Sequence, residues 1–189
     1  MRLSDARPAL PAHRAPRRAA AAARRAAAPP PPRAGVLAPG DTVLVAGATG
    51  GVGQLLAAKL LERGYKVVAL SRSAEKAAKL LGAAPGLRVA VGDLRDSAAL
   101  AAALEGVDAV ACATGTTAFP SARWLGGNSP KEVDRDAVLN LLALAAPRAK
   151  QLKRVLLTTS AGVERYDALP YKILNAFGVL VREGGAFLC

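Results

Sequence analysis

Short apolar runs alternate with segments of helical periodicity along most of the chain after residue 40. The runs are five or six residues long, as buried strands are, and the segments between them place apolar residues three and four positions apart. The pattern predicts strands at Thr42–Ala46, Lys66–Leu70, Leu87–Val91, Val107–Cys112 and Arg154–Thr159. It predicts helices at Gly51–Arg63, at Ser73–Leu81, from Asp96 or Ser97 to Leu104, and at Glu132–Leu144, and a last amphipathic segment at Pro170–Arg182.

Strands that alternate with helices favour a parallel sheet with right-handed crossovers. The predicted fold is therefore a three-layer α/β/α, Rossmann-like, doubly wound domain with about five strands in the order 3-2-1-4-5. Such domains usually have a sixth strand, and without it strand five would expose Leu156 and Leu157 at an open edge. We therefore expect either a chain truncated at its C-terminus or a protein partner that covers this edge.

The turn after strand one is the strongest functional signal in the sequence. It consists of Gly47, Ala48, Thr49, Gly50, Gly51, Val52 and Gly53, with glycines in the spacing G-x-x-G-x-x-G. Glycines let the backbone approach a pyrophosphate, and the N–H groups and dipole of the following helix favour its negative charge. The alternative is a tight turn of some other α/β unit, but the strand before it and the helix after it favour a dinucleotide site.

The residues after strand two indicate which dinucleotide is bound. NAD sites usually carry an acid about 20 residues beyond the glycines, which binds the ribose 2′-hydroxyl. Here Ser71, Arg72 and Ser73 occupy that region, and the first carboxylate is Glu75 inside the predicted helix. Arg72 can pair with a 2′-phosphate and the two serines can donate to it, so NADP(H) is the predicted cofactor. The alternative is a solvated arginine at a helix start, where a cation is mildly disfavoured.

The ends of strands three and four complete the predicted cofactor site. Asp93 and Leu94 follow strand three, where a carboxylate can accept from an adenine amino group; a helix-entry aspartate is the alternative. Ligands of such sheets also lie at the end of strand four. The residues there are Ala113, Thr114 and Gly115.

Together these motifs resemble the atypical short-chain dehydrogenase/reductase family. The resemblance rests on Gly47–Gly53, Ser71-Arg72, Gly92-Asp93-Leu94 and Ala113-Thr114-Gly115. Thr114–Ser121 with Trp124, and Thr159–Val163, look like the plastid branch of that family, which is similar to the NADP-binding part of the chloroplast import apparatus. The resemblance covers residues 42–182 and implies an NADP(H)-binding fold in a plastid.

The resemblance also implies a proton donor, usually a Tyr followed four residues later by a Lys, and no such pair exists in this chain. Two functions remain: an NADP(H)-binding protein with a redox-sensing or assembly role, or an NADPH-dependent oxidoreductase with another proton source. A fragment without function is a third possibility. Ser160 matches the family's substrate-orienting serine, with a simple loop serine as the alternative. The catalytic candidates are Ser160, Tyr166, Tyr171 and Lys172.

Charge divides the chain into a leader and a folded part. The net charge is +12, of which residues 1–39, with eight Arg and one acid, carry +7. An Ala-, Arg- and Pro-rich segment cannot bury a core, so residues 1–39 are predicted to be a disordered leader and residues 40–189 the Rossmann-like domain. An Arg-rich, acid-poor leader is typical of a transit peptide, with a plain basic tail as the alternative. With the resemblance, it favours the chloroplast, and the mitochondrion is second.

Several other classes of site are not predicted. His13, the only histidine, lies in the leader, and the only cysteines are Cys112 and Cys189, so neither a zinc site nor a histidine-based triad is expected. Cys112 is interpreted as a small buried apolar residue. Nucleic-acid binding is not expected, because basic and aromatic residues do not interleave. No apolar stretch is long enough to predict a transmembrane helix.

Overall fold

A five-stranded parallel sheet forms the centre of the molecule. The computed structural model describes residues 35–116, 122–159 and 169, and the backbone of residues 181–183 and 186–188. The strands of the sheet are β1 Thr42–Ala46, β2 Lys66–Ser71, β3 Leu87–Val91, β4 Ala109–Cys112 and β5 Arg154–Leu157. Their order is β3-β2-β1-β4-β5, and every neighbouring pair is parallel. The predicted doubly wound fold and its strand order are confirmed.

Helices connect the strands, as the periodicity predicted. The α-helices of the described part are α1 Gly51–Glu62, α2 Ala74–Leu81, α3 Ser97–Ala103 and α4 Ala137–Ala145. The Ser73 hydroxyl caps α2 by accepting from the Lys76 amide at 3.1 Å. Asp96 rather than Ser97 caps α3, because its carboxylate accepts from the amides of Ala98 and Ala99.

Apolar side chains cover both faces of the sheet and make the three layers. One cluster contains Leu44, Val68, Val110, Leu100 of α3 and Leu141 of α4. The cluster on the other face contains Val43, Val45, Val67 and Ala57 of α1. Because both faces are buried, the central strands have apolar residues at consecutive positions instead of alternating apolar and polar ones, with polar residues only at the strand ends. The same property made them recognisable as short apolar runs in the sequence.

The folded part begins before residue 40, where the predicted leader ends. Leu37 packs against the core cluster on the α1 face of the sheet. The amide of Ala38 donates to the Asp41 carboxylate at 2.8 Å, which holds this segment against the start of β1. The apolar residue Leu37 therefore extends the folded part into the predicted leader.

Some predicted elements have different bounds in the structure. The predicted strand four loses Val107 and Asp108. The Asp108 amide still donates to the Thr42 carbonyl oxygen at 2.8 Å, but the Thr42 amide donates to the Asp108 carboxylate instead of to a backbone carbonyl, so the regular pairing stops there. The helix predicted at Glu132–Leu144 is divided into a π-helical turn, Lys131–Asp136, and α4. The predicted segment Pro170–Arg182 falls mostly outside the described residues. Its last two residues belong to a strand, β6 Val181–Glu183, which pairs antiparallel with β7 Ala186–Leu188.

Strand β5 forms one edge of the sheet, and its apolar side chains are partly open to solvent. Val155 is 39% exposed and Leu156 is 50% exposed. Consecutive residues of a strand point to opposite faces, so both faces of the sheet are incompletely covered at this edge. The prediction of an exposed apolar edge is thus confirmed for Leu156. No helix of the described part is long and apolar enough to cross a membrane.

A network of charged residues joins the amino ends of β1, β4 and β5. The Lys153 ammonium, just before β5, donates to the Asp41 carboxylate at 2.7 Å and lies 3.9 Å from the Asp108 carboxylate. The hydrogen bond from Lys153 is the main cause that lowers the pKa of Asp41, and the same bond raises the pKa of Lys153. These charges lie at the opposite end of the strands from the glycine turn.

Candidate functional site

A cleft of about 730 Å³ opens at the carboxyl ends of the strands. Its walls are formed by residues that follow β1, β2, β3 and β4, which is where ligands of doubly wound sheets bind. The volume is within the range of small-molecule and cofactor sites. The ten predicted site residues that line it are Gly47, Thr49, Gly50, Ser71, Arg72, Asp93, Leu94, Ala113, Thr114 and Gly115.

The other predicted site residues do not line the cleft. Ala48 is fully buried below the turn. Gly51, Val52 and Gly53 form the first turn of α1, and Ser73 caps α2. Among the described residues, no side chain caps the start of α1, so the first N–H groups of this helix remain available for an anion.

Two positions of the turn require glycine. Gly47 has a φ of +76°, and a Cβ there would lie 2.8 Å from the Ala113 carbonyl oxygen. A Cβ on Gly53 would lie 2.1 Å from the Gly47 carbonyl oxygen. The first glycine thus brings β1 close to the end of β4, and the third brings α1 close to the turn. Both are the close approaches that a pyrophosphate-binding turn needs.

Ser71 organises the chain between β2 and α2. It is buried, and its hydroxyl donates to the Ser73 carbonyl oxygen at 3.0 Å. The hydroxyl oxygen of Ser71 also accepts from the Ser73 amide at 3.3 Å. The hydroxyl hydrogen of Ser71 is therefore used inside the turn. Among the described contacts, the side-chain oxygen of Ser73 only accepts, from the Lys76 amide, so the hydroxyl hydrogen of Ser73 is available to a ligand.

Arg72 extends from this turn along the mouth of the cleft. Its side chain is 65% exposed, and its Nη1 donates to Asn128 Oδ1 at 2.9 Å. Nη1 also lies 4.0 Å from the Asp93 carboxylate. Lys76 and Arg95, which the sequence analysis did not single out, line the same cleft. Among the lining residues three cations thus face one carboxylate, and the cleft favours an anionic ligand.

Asp93 is held by Arg95. Arg95 Nη2 donates to one carboxylate oxygen of Asp93 at 2.6 Å, and Nε and the backbone amide donate to the other at 3.0 and 2.9 Å. The side-chain hydrogen bond from Arg95 is the main cause that lowers the pKa of Asp93, and it raises the pKa of Arg95. Asp93 is therefore an ionised, fixed acceptor at the end of β3.

A buried carboxyl group supports the far end of the cleft. Asp134 is only 5% exposed, and its Oδ1 accepts from the Thr116 amide at 3.1 Å. Burial raises the pKa of Asp134 to about 6, and the hydrogen bond from Thr116 opposes this rise. It belongs to the π-helical turn before α4, a geometry that is frequent at functional sites.

The predicted catalytic residues cannot be placed in this geometry. Ser160, Tyr166, Tyr171 and Lys172 lie outside the described residues. Cys112 is buried and its Sγ lies 3.1 Å from Thr114 Oγ1, in agreement with a packing role. The described part of the chain contains no group of three or more potential metal ligands.

The cleft, the glycine turn and the strand order together define a nicotinamide dinucleotide-binding protein. The chain belongs to the NAD(P)H-binding family, whose model matches residues 47–181. This match confirms the resemblance that the sequence motifs indicated. The chain is an NAD(P)H-binding Rossmann domain.

Two curated relatives are chloroplastic by name. The chain is 30% identical over 183 residues to the uncharacterized protein At2g37660 of Arabidopsis thaliana, a match that covers 76% of this chain and 55% of the relative. It is 33% identical over 157 residues to the protein TIC 62 of Pisum sativum, covering 75% of this chain and 28% of the relative. The chain therefore spans about half of the first relative's length and less of the second.

Solved structures share the fold. The oxidoreductase ylbE from Lactococcus lactis matches with a TM-score of 0.56 and 23% identity, over 72% of this chain and 57% of that protein. Serine dehydrogenase from Escherichia coli matches with a TM-score of 0.55 and 22% identity, over 72% of this chain and 71% of that protein. At these identities the likeness concerns the fold alone.

Proposed function

We propose that this chain binds NADP(H) in preference to NAD(H). The observation that carries the proposal is Arg72, which follows β2 at the mouth of the cleft and keeps most of its guanidinium donors available. A 2′-phosphate can form charge-assisted hydrogen bonds with this group, whereas a 2′-hydroxyl gains little from it. Lys76, one helical turn further along α2, adds a second cation on the same side.

The described residues offer a candidate contact for each part of such a cofactor. The Gly47–Gly50 turn and the uncapped start of α1 would hold the pyrophosphate. Arg72 would hold the 2′-phosphate, and Asp93 with Leu94 would border the adenine. Ala113–Gly115, which lack bulky side chains, would border the nicotinamide half.

We further propose a redox-sensing or assembly role in a plastid, without classical reductase chemistry. When bound, the nicotinamide supplies the capacity for hydride transfer, and the protein must then supply a positioned proton donor. The absence of any Tyr-x-x-x-Lys sequence supports a binding role. The chloroplastic relatives and the Arg-rich leader support the plastid, and nothing in the relatives' names supports the mitochondrion. The protein partner predicted at β5 remains a prediction, supported by the half-exposed Leu156.

The alternative is an NADPH-dependent oxidoreductase with an unidentified plastid substrate. Its proton source would be Ser160, Tyr166, Tyr171 or Lys172. Sustained oxidation of NADPH in the presence of a panel of quinones and carbonyl compounds would favour this alternative. Binding of NADPH without turnover across the panel would favour the redox-sensing or assembly role.

Calorimetric titration of the full chain with NADPH and with NADH tests the cofactor proposal. Arg72→Ala is expected to weaken NADPH about tenfold, the lower end for a lost charge-assisted hydrogen bond because the site is open to solvent. It should leave the NADH affinity nearly unchanged. Arg88→Ala is the matched control, since Arg88 is an exposed arginine of β3 outside the cleft. Preference of the wild-type chain for NADH, or equal losses for both cofactors in Arg72→Ala, would refute the proposal.

A further inference from the structure

The loop between β4 and the π-helical turn reaches across the cleft to the cofactor-specificity arginine. The structure describes residues 113–116 and 122–130 of this loop, and the second of these stretches is called here the Asn128 loop. Asn128 Oδ1 accepts from Arg72 Nη1 at 2.9 Å, although 56 residues separate the two in sequence. Arg95 also donates to the Gly127 carbonyl oxygen. The loop that follows β4 is thus hydrogen-bonded to residues that follow β2 and β3.

The Asn128 side chain is fixed in the orientation that presents its oxygen to Arg72. Its Nδ2 donates to the Leu125 carbonyl oxygen at 2.8 Å, so its Oδ1 must point the other way. Its backbone amide donates to the Trp124 carbonyl oxygen at 3.2 Å. Its own carbonyl oxygen accepts from Thr116 Oγ1, also at 3.2 Å. Asn128 therefore makes three hydrogen bonds besides the one from Arg72, and these orient its Oδ1 as an acceptor.

The hydrogen bonds continue from Asn128 into the buried end of the loop. Thr116 bonds Asn128 through its hydroxyl and Asp134 through its amide. A continuous chain of contacts therefore runs from a buried carboxyl group, through Thr116 and Asn128, to Arg72 at the surface. This support explains how an exposed guanidinium can be held in one place.

A neutral acceptor is well suited to position an arginine for a phosphate. A free arginine side chain loses conformational entropy when it is ordered, and a fixed partner reduces the part of this cost that ligand binding must bear. One hydrogen bond to Asn128 occupies one of the five guanidinium donors and leaves the others for phosphate oxygens. A carboxylate at the same place would hold Arg72 equally well but would repel the phosphate.

We propose that Asn128 determines cofactor specificity by positioning Arg72 for the 2′-phosphate. The inference rests on the proposed NADP(H) preference and adds a residue that sequence motifs did not indicate. Because the 2′-phosphate is present only in NADP(H), the contribution of Asn128 appears in the ratio of the NADPH and NADH affinities. A residue that merely stabilised the loop would change both affinities alike.

Titration of the full chain with NADPH and NADH tests this inference in Asn128→Ala, Arg72→Ala and the double variant. Asn128→Ala should weaken NADPH about three- to tenfold, the range for one hydrogen bond, and leave NADH within about twofold. In the Arg72→Ala background, Asn128→Ala should have no further effect on NADPH, because the group it positions is absent. Gln151→Ala, which removes an exposed amide ahead of β5, is the matched control.

A second variant keeps the test decisive if Asn128→Ala does not fold, which thermal melting reveals. Asn128→Asp retains the shape and an acceptor for Arg72 but places a negative charge beside the phosphate. Relative to the wild-type chain, it should weaken NADPH and leave NADH nearly unchanged. Equal losses for both cofactors, no loss for either, or a full effect in the Arg72→Ala background would overturn the inference.

The outcomes separate this inference from the proposal on which it rests. If Arg72→Ala abolishes the preference for NADPH while both Asn128 variants retain it, only the role of Asn128 is wrong. If the wild-type chain has no preference for NADPH, the proposed cofactor itself is wrong. If Arg72→Ala leaves that preference intact, the role of Arg72, and with it that of Asn128, is wrong.

Discussion

Replacing Asp134 by asparagine should stabilise the protein at neutral pH. Asp134 is 5% exposed and accepts a single hydrogen bond, from the Thr116 amide, among the contacts described above. An asparagine keeps a carbonyl oxygen for that amide but carries no charge. The substitution therefore removes the cost of a buried carboxylate and retains the contact that holds the end of β4.

The magnitude follows from the pKa of the carboxyl group. Burial raises the pKa of Asp134 from 3.8 to about 6. At pH 7 the ionised group then costs on the order of 3 kcal/mol of folding free energy relative to its ordinary environment. Below pH 3.8 the group is protonated in both the folded and the unfolded states, and the cost vanishes. Between these values the folded state binds more protons, so stability falls as the pH rises, and above about 6 the cost is constant.

Urea unfolding of wild type and Asp134→Asn at a series of pH values measures this effect. The stability gained by the variant should be small near pH 4, grow up to about pH 6.5, and then level off at up to about 3 kcal/mol. Glu75→Gln is the control, since it removes one carboxylate from the exposed surface of α2. A stability difference between wild type and Asp134→Asn that does not change with pH would refute the reasoning. A difference that shifts in favour of the wild type between pH 4 and pH 7 would refute it as well.

Two further substitutions test the local geometry. Gly53→Ala places a Cβ 2.1 Å from the Gly47 carbonyl oxygen. It should therefore destabilise the fold by about 3 kcal/mol and abolish cofactor binding. An unchanged melting temperature would contradict the close approach of α1 to the turn. Asp96→Ala should cost about 1 kcal/mol in urea unfolding through loss of the α3 cap, whereas Asp96→Asn should restore most of it, and equal losses in both would argue against capping.

The strands were predictable because burial on both faces leaves one clear pattern in the sequence. The ends of the strands were less predictable where a side chain makes a hydrogen bond that a backbone group would make in a longer strand. Asp108 is an example, since its carboxylate takes the bond that a longer β4 would have made with Thr42. The π-helical turn at Lys131–Asp136 has the same apolar spacing as the helix predicted there, so periodicity cannot distinguish them.

The site was predictable where it is local in the sequence. The glycine turn and Arg72 follow directly from the strands that precede them. Lys76 lies four residues after Arg72, and Arg95 lies two after Asp93, so both were within reach of the same reasoning. Asn128 and Asp134 were not. Asn128 comes from a long connection without periodicity, and Asp134 comes from a predicted helix whose pattern does not show that it meets the cleft; only the tertiary fold brings the two residues there.

The strand order has a consequence for how the chain assembles during synthesis. Every strand of the main sheet after β1 pairs with one that precedes it in the sequence: β2 with β1, β3 with β2, β4 with β1, and β5 with β4. Each of these four strands therefore already has its template when it leaves the ribosome, and β1 serves as the template for both halves of the sheet. The bond from Lys153 to Asp41 joins residues 112 positions apart in the sequence, and it brings the start of β5 to the start of β1 only after β4 has been placed between them, so it forms late in the assembly of this sheet.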